Sequence, residues 1–118
     1  MSEIDCLSWF PDGFALALGC KDSTCRIYDS RCLAQLGAYV GSALRSPCKS
    51  VEFSASGRLL FAGYADSKVR VFDLSLHPQA DPVFTISTHR REVRLLRRCP
   101  SGDAILSGGL DGKLFVYA

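Results

Sequence analysis

Apolar positions along this chain follow two patterns. From Leu59 to Tyr64 they run almost unbroken, as in a strand covered on both faces. On either side they alternate, with Val51 and Phe53 against Glu52 and Ser54, and Val69 and Val71 around Arg70. Enrichment in β-branched and aromatic residues makes these runs strands rather than helices. The pattern predicts strands over Ser50–Ser54, Leu59–Tyr64 and Val69–Phe72, with turns at Ala55-Ser56-Gly57 and Ala65-Asp66-Ser67.

The same arrangement occurs three times, over Leu7–Asp29, Val51–Asp73 and Leu96–Ala118. The turn glycines Gly13, Gly57 and Gly102 recur 44 and then 45 residues apart. So do the turn aspartates Asp22, Asp66 and Asp111 and the closing aromatics Tyr28, Phe72 and Tyr117. Short runs at Leu33–Tyr39 and Pro82–Ile86 supply a fourth strand after the first two repeats; Pro82, which cannot donate to a ladder, suits a strand start or an edge. Val40–Pro47 and Leu74–Asp81, the latter containing His77-Pro78, read as loops. Strand triplets at a period of roughly 40–45 residues are the mark of a propeller blade. The chain is therefore expected to be all-β, with about eleven strands in three blades near 4–39, 49–86 and 92–118, the third lacking its outer strand. Propellers close with typically 4–8 blades, so three form a partial propeller whose ring this chain alone does not close. That predicts a fragment, a truncated product, or a part completed by something else.

Bulk properties agree with one folded unit. The 118 residues are 47% hydrophobic and 22% charged, with a formal net charge of +2, which argues against disorder. The first ten residues, MSEIDCLSWF, lack a basic region followed by an apolar run, so no secretory signal is expected. Six cysteines, Cys6, Cys20, Cys25, Cys32, Cys48 and Cys99, include no C-x-x-C pair, and there are only two histidines, His77 and His89. A zinc or redox motif lacks its spacing. Cys20, Cys25 and Cys99 lie in strand-like runs and read as reduced, buried thiols of a cytosolic protein, disulfides being the alternative. No metal or cofactor is implied.

The Gly–Asp–aromatic spacing resembles that of WD-repeat propellers. In that family a His, a Ser or Thr, an Asp and a Trp form a hydrogen-bonded set; here the third repeat offers His89, Ser107 and Asp111, with Tyr117 in place of the tryptophan. Asp22 and Asp66 hold the aspartate position in the other repeats. His89, Ser107 and Asp111 also have the composition of a hydrolytic triad, but Leu106-Ser107-Gly108-Gly109 is not a G-x-S-x-G elbow ahead of a helix. The structural reading is preferred.

A closer resemblance appears in IDCLSWFPDGFALALGCKDSTCRIYDSR and VEFSASGRLLFAGYADSKVRVFD. These segments are similar to the fifth and sixth blades of heterotrimeric G-protein β subunits, and the third repeat ends where the seventh blade of that family ends. The resemblance implies a non-catalytic signalling scaffold that binds a lipidated γ subunit, a GDP-bound α subunit and effectors. It further implies a cytoplasmic location, at the plasma membrane only through the lipidated partner. Glu3 falls at an acidic position of the family's α-binding face, and Asp5 at an asparagine. Lys21 stands where the family has Asp, and Leu110 where it has Trp. A lost aromatic anchor or a reversed charge weakens an interface, so both departures put α binding of the usual kind in doubt. On the γ-facing side, Phe10, Pro11, Asp12 and Asp29 match or nearly match. Phe10-Pro11-Asp12-Gly13 is equally well read as a type I turn with Pro at its second position.

One run departs from the family. HRREVRLLRR, from His89 to Arg98, carries five arginines. It reads as a strand with Val93 and Leu95 inward and Arg94 outward. The alternatives are a basic helix, with Val93 and Leu96 on one face, or an electrostatic patch for nucleic acid or an anionic surface. Two functional classes follow: a G-protein-β-like interaction module, and a WD-repeat module of another pathway with a basic strand on nucleic acid.

Overall fold

The computed structural model describes residues 3–40, 45–76, 81–102 and 104–117. Eleven strands are found among them, in three antiparallel sheets. The first sheet holds β1 (Ile4–Trp9), β2 (Ala15–Cys20), β3 (Cys25–Asp29) and β4 (Gln35–Tyr39), side by side in chain order. The second holds β5 (Cys48–Phe53), β6 (Leu59–Tyr64), β7 (Val69–Asp73) and β8 (Phe84–Ile86). The third has β9 (Val93–Arg98), β10 (Ile105–Gly109) and β11 (Leu114–Tyr117). These are propeller blades, and the ring is not closed.

Two turn types repeat in each blade. The first joins the inner two strands: the amides of Gly13, Gly57 and Gly102 donate to the carbonyls of Phe10, Ser54 and Cys99, with the glycines at φ +78°, +77° and +86°. A side chain resists that left-handed conformation, which is why glycine recurs there. The second turn joins the middle strands and carries Asp22, Asp66 and Asp111. Its left-handed position is Ser23, Ser67 or Gly112, at φ 77°, 76° and 74°.

The blades pack face to face, and the cores lie in the seams. The seam between the first two blades buries Ala17, Cys25 and Ile27 of one against Val51, Phe53, Leu60, Tyr64 and Phe72 of the other. The second seam is smaller, with Val69 of the middle blade against Val93, Leu96 and Ile105. A glycine in the central strand of each of the first two blades lets the next blade approach. A Cβ on Gly19 would lie 2.8 Å from Cys48 Sγ, and one on Gly63 would lie 2.7 Å from Val93 Cγ1.

Every inner strand also carries a bulge that the sequence pattern did not show. Pairing skips a residue between Ile4 and Cys6, between Cys48 and Ser50, and between Val93 and Leu95. The skipped residues, Asp5, Lys49 and Arg94, are equivalent positions. An extra residue reverses the alternation of faces, and this corrects the expectation for the arginine-rich strand. Val93 and Leu96 point inward, whereas Leu95 is 62% exposed. The same residues rule out the helix, because β9 is a strand.

Strand limits differ in smaller ways. β5 starts at Cys48 and ends at Phe53 rather than spanning Ser50–Ser54. β7 continues to Asp73. β4 begins at Gln35 because Leu33 sits at φ 58°, outside extended geometry. β8 is confined to Phe84–Ile86, leaving Pro82 before it. The cysteines are all free. Cys20 and Cys25 are buried, but Cys99 lies just past β9 and is only half-buried, which corrects its reading as a core thiol. His77, Pro78, Ala118 and the middle of the loop expected over Val40–Pro47 lie outside the described residues.

Candidate functional site

The aspartate turns are held in two ways. In the third blade His89 reaches in from the segment before β9. Its Nδ1 donates toward both Asp111 carboxylate oxygens at 3.2 Å, and its Nε2 lies 2.7 Å from Ser107 Oγ. Ser107 Oγ is 2.9 Å from the Tyr117 hydroxyl, which is 2.7 Å from Thr88 Oγ1. The His89 ring meets Phe115 edge-on at 4.8 Å. Hydrogen bonds from the Arg90 amide, then from the Lys113 amide and His89, lower the Asp111 carboxyl to about 2. The set is chemically a Ser–His–Asp array, yet Ser107 is fully buried and its other neighbour is a phenol. It ties a turn to a strand across the blade.

In the first two blades the position of Phe115 is held by Arg26 and Arg70. These pair with Asp22 at 3.2 Å and with Asp66 at 2.7 Å. Arg70 also lies over the Tyr64 ring, whose hydroxyl crosses the seam to the Ser23 carbonyl at 3.1 Å. Burial is the main cause that pushes the Tyr64 phenol far above its usual range. One turn position is thus stabilised by an arginine in two blades and by a histidine relay in the third.

The start of each inner strand and the aspartate turn lie at the same end of a blade, because β1 and β2 run antiparallel. A repeated backbone bond joins them. Lys21, Ala65 and Leu110 donate to the carbonyls of Glu3, Pro47 and Glu92 at 2.9, 3.0 and 2.9 Å. Besides the turn aspartates, the four residues that resemble an α-binding face, Glu3, Asp5, Lys21 and Leu110, fall at this end. Lys21 Nζ is 2.8 Å from Glu3, and that hydrogen bond raises the Lys21 ammonium pKa. Asp5 pairs with Lys49 of the next blade at 3.3 Å, and Arg94 pairs with Glu92 at 3.2 Å. An open hollow of about 500 Å³ is lined by Asp5, Lys49, Arg94, Leu95 and Leu110. Lys49 was not singled out from the sequence, and Arg94 and Leu95 were read only as outward and inward residues of the arginine-rich strand; the 44- and 45-residue spacing of Asp5, Lys49 and Arg94 was the available signal.

Phe10, Pro11, Asp12 and Asp29 fall at the opposite end of the first blade. Phe10 turns into the seam, edge-on to Phe53 at 5.1 Å, so Pro11 and Asp12 form the exposed part of that turn. Asp12 accepts from the Phe14 amide at 2.8 Å, and Asp29 pairs with Arg31 at 3.0 Å. The structure does not bring this group together with Glu3, Asp5, Lys21 and Leu110. The arginines of β9 are not all together. Arg94, held by Glu92, and the exposed Arg97 line a second hollow with Lys49 and Glu52, whereas Arg98 points toward the Ser54 carbonyl at 3.5 Å. Among the described residues no group of His, Cys, Asp and Glu is placed to hold a metal, and no helix is long and apolar enough to cross a membrane.

Comparison with known proteins fits this architecture. The family described as "WD domain, G-beta repeat" matches residues 2–29, 31–73 and 80–117. A guanine nucleotide-binding protein subunit beta-5b of Danio rerio is 37% identical over 112 residues, covering 95% of this chain and 28% of the relative. A subunit beta-2 of Caenorhabditis elegans is 36% identical over 98% of this chain and 30% of its own length. A subunit beta of Arabidopsis thaliana is 36% identical over 98% of this chain and 32% of its own length. The chain spans less than a third of each of these G-protein β subunits. With three matched repeats, each carrying the inner three strands of one blade and the last two also the outer strand of the blade before, it belongs to the WD-repeat family.

Proposed function

We propose that this chain is a non-catalytic signalling scaffold that binds protein partners of the G-protein β kind through the end of the blades bearing Glu3, Lys21, Asp5, Lys49 and Leu110. The observation that carries the reading is the pairing of Lys21 with Glu3 at 2.8 Å at the same end of the blades as an exposed Leu110. The residues that resemble an α-binding face lie together on one open surface, with its chemistry altered. Exposed ion pairs contribute only about 0–1 kcal/mol to stability, so holding the fold together does not by itself account for this charge arrangement. The α subunit and effectors are the partners proposed for this end. A γ subunit is proposed for the opposite end, where Pro11 and Asp12 are exposed and Asp29 is held by Arg31. A lipidated γ partner would bring an otherwise cytoplasmic chain to the membrane. No catalysis is proposed, because Ser107 lies where no substrate reaches it.

The altered face predicts weak α binding that a large aromatic restores. Leu110→Trp should tighten binding of a GDP-bound α subunit at least about tenfold in calorimetry, since an aromatic anchor can contribute 2 kcal/mol or more. Unchanged affinity, or GTP turnover by the purified chain alone, would sink the proposal.

A further inference from the structure

Cys6, Cys25 and Cys48 are far apart in the sequence and meet in the first seam. Cys6 and Cys25 flank Gly19 in the sheet of the first blade, since Gly19 pairs with Cys6 on β1 and with Cys25 on β3. Cys48 of the second blade seats over that glycine. A Cβ on Gly19 would clash with Cys6 Sγ and lie 2.8 Å from Cys48 Sγ. Cys48 Sγ is 3.7 Å from Cys25 Sγ and also shares a hydrogen bond with Cys6. Cys25 is held in addition by the Tyr64 hydroxyl at 3.6 Å.

Packing does not by itself call for sulfur at these places. The equivalent residues of the second seam are Ser50, Val93 and Val69, grouped around Gly63 in the same way. A serine and two valines fill there the space that three thiols fill here.

The three thiols differ in access. Cys25 and Cys48 are fully buried, whereas Cys6 is only partly buried and lines the second hollow beside Lys49 and Glu52. The hydrogen bond with Cys48 lowers the Cys6 thiol pKa, against the opposing effect of burial. Of the nearby charges, Lys49 favours the Cys6 thiolate and Asp5 opposes it, and these two pair with each other at 3.3 Å. Hydrogen bonds with Cys25 and Cys6, together with burial, push the Cys48 thiol well up. A more acidic, reachable thiol beside a buried, protonated one is the arrangement of an attacking and a resolving cysteine. Every group involved belongs to the first two blades and the seam between them.

We infer that Cys6 and Cys48 form a peroxide-reactive site, which hydrogen peroxide oxidises to a disulfide linking the first two blades across their seam. The Cys6 thiolate attacks one peroxide oxygen; an S–O bond forms, the O–O bond breaks and hydroxide leaves, giving a sulfenic acid. The Cys48 sulfur then displaces hydroxide from Cys6, so that the S–S bond forms as the S–O bond breaks. The protons of the two thiols leave with the two hydroxides as water. Two thiols are oxidised by two electrons, and one peroxide is reduced to two waters. This inference does not depend on the partners proposed above.

The experiment treats the purified 118-residue chain with a small excess of hydrogen peroxide and digests it without reduction. Mass spectrometry should find the peptides of Cys6 and Cys48 joined with the loss of two hydrogens, and fragmentation should place the bond on Cys6 rather than Cys20. Oxidation should raise the melting midpoint by roughly 10 °C, and dithiothreitol should reverse both changes. In Cys48→Ala, dimedone should capture a sulfenic acid on Cys6; in Cys6→Ser, Cys48 should stay reduced. Circular dichroism checks that both variants fold, and the wild-type digest and melt decide the matter without them. The inference is overturned by the absence of a Cys6–Cys48 bond, by a bond confined to Cys25 and Cys48, or by an unmoved midpoint. Cys48 oxidised in Cys6→Ser, or sulfenic acid formed on the exposed Cys32 while Cys6 stays reduced, overturns it equally.

Discussion

The two seams occupy the same strand positions and yet bury different chemistry. Between the first and second blades, Phe10 meets Phe53 edge-on at 5.1 Å and Tyr39 lies against Phe72 at 6.2 Å. Between the second and third, Ser54 stands in place of Phe10 and Arg98 in place of Phe53. The Arg98 amide donates to Glu52 at 3.3 Å, and its guanidinium is 3.5 Å from the Ser54 carbonyl. The third blade has no fourth strand among the described residues, and an apolar groove of about 410 Å³ stays open there, lined by Phe61, Phe84, Ile105 and Tyr117. The comparison teaches that the backbone frame sets where blades meet, while the side chains set how strongly. A seam keeps its geometry with a satisfied arginine in it, but it buries less apolar area, and that area is the main stabilising quantity.

The sharpest test truncates the aromatic pair. Phe53→Ala should lower urea-unfolding stability by about 4 kcal/mol, as large core aromatics do, and Arg98→Ala should lower it far less. Equal losses would mean that the seams are energetically alike. The glycine seats separate a covered seam from an open face. Gly63→Ala must push against Ser50 and Val93 and should cost about 1–3 kcal/mol, while Gly108→Ala has room and should stay within about 0.5 kcal/mol. Thermal melts of the two variants at a concentration where the chain is monomeric decide this.

A third test addresses the two ways of holding the aspartate turn. Ser107→Ala removes the partner of His89 Nε2 and should cost about 1–3 kcal/mol, the penalty of an unpaired buried polar group. The equivalent residues, Ala62 and Leu18, already lack a hydroxyl, so the loss is expected only where the histidine relay exists. The smallest effect is in acid. Asp73 and Asp111 both have carboxyls lowered from 3.8 to about 2, Asp73 first by the Ser75 hydroxyl and then by Arg58. A lowered folded pKa stabilises the fold fully above the ordinary value, and that contribution fades as pH falls from 3.8 toward 2. Denaturation midpoints should drop over that window, and less so in Asp73→Asn and Asp111→Asn. A midpoint that is flat below pH 4 would remove the linkage.

Much of this was legible in the chain. The glycine and aspartate spacing located both turns of every blade, because a left-handed residue and a side-chain-capped turn tolerate few residue types. The His89, Ser107, Asp111 and Tyr117 positions could be named from the resemblance to WD repeats. The bulges could not be seen, since an extra residue in a strand leaves no mark in an alternating pattern until the partner strand is known. That is why Leu95 was expected inside and Lys49 was overlooked. Phe10 read as a surface turn residue because local chemistry favours it there. Only the neighbouring Gly57, with no Cβ in the way of the ring, makes it a seam residue.

The sequence by itself determined the repeat, the strand order and the open count of three blades, because these depend on interactions between residues close along the chain. The tertiary structure alone decided which apolar residues are covered. Leu7, Val51 and Leu96 look alike in the sequence, and only packing between blades buries two of them and leaves the third exposed.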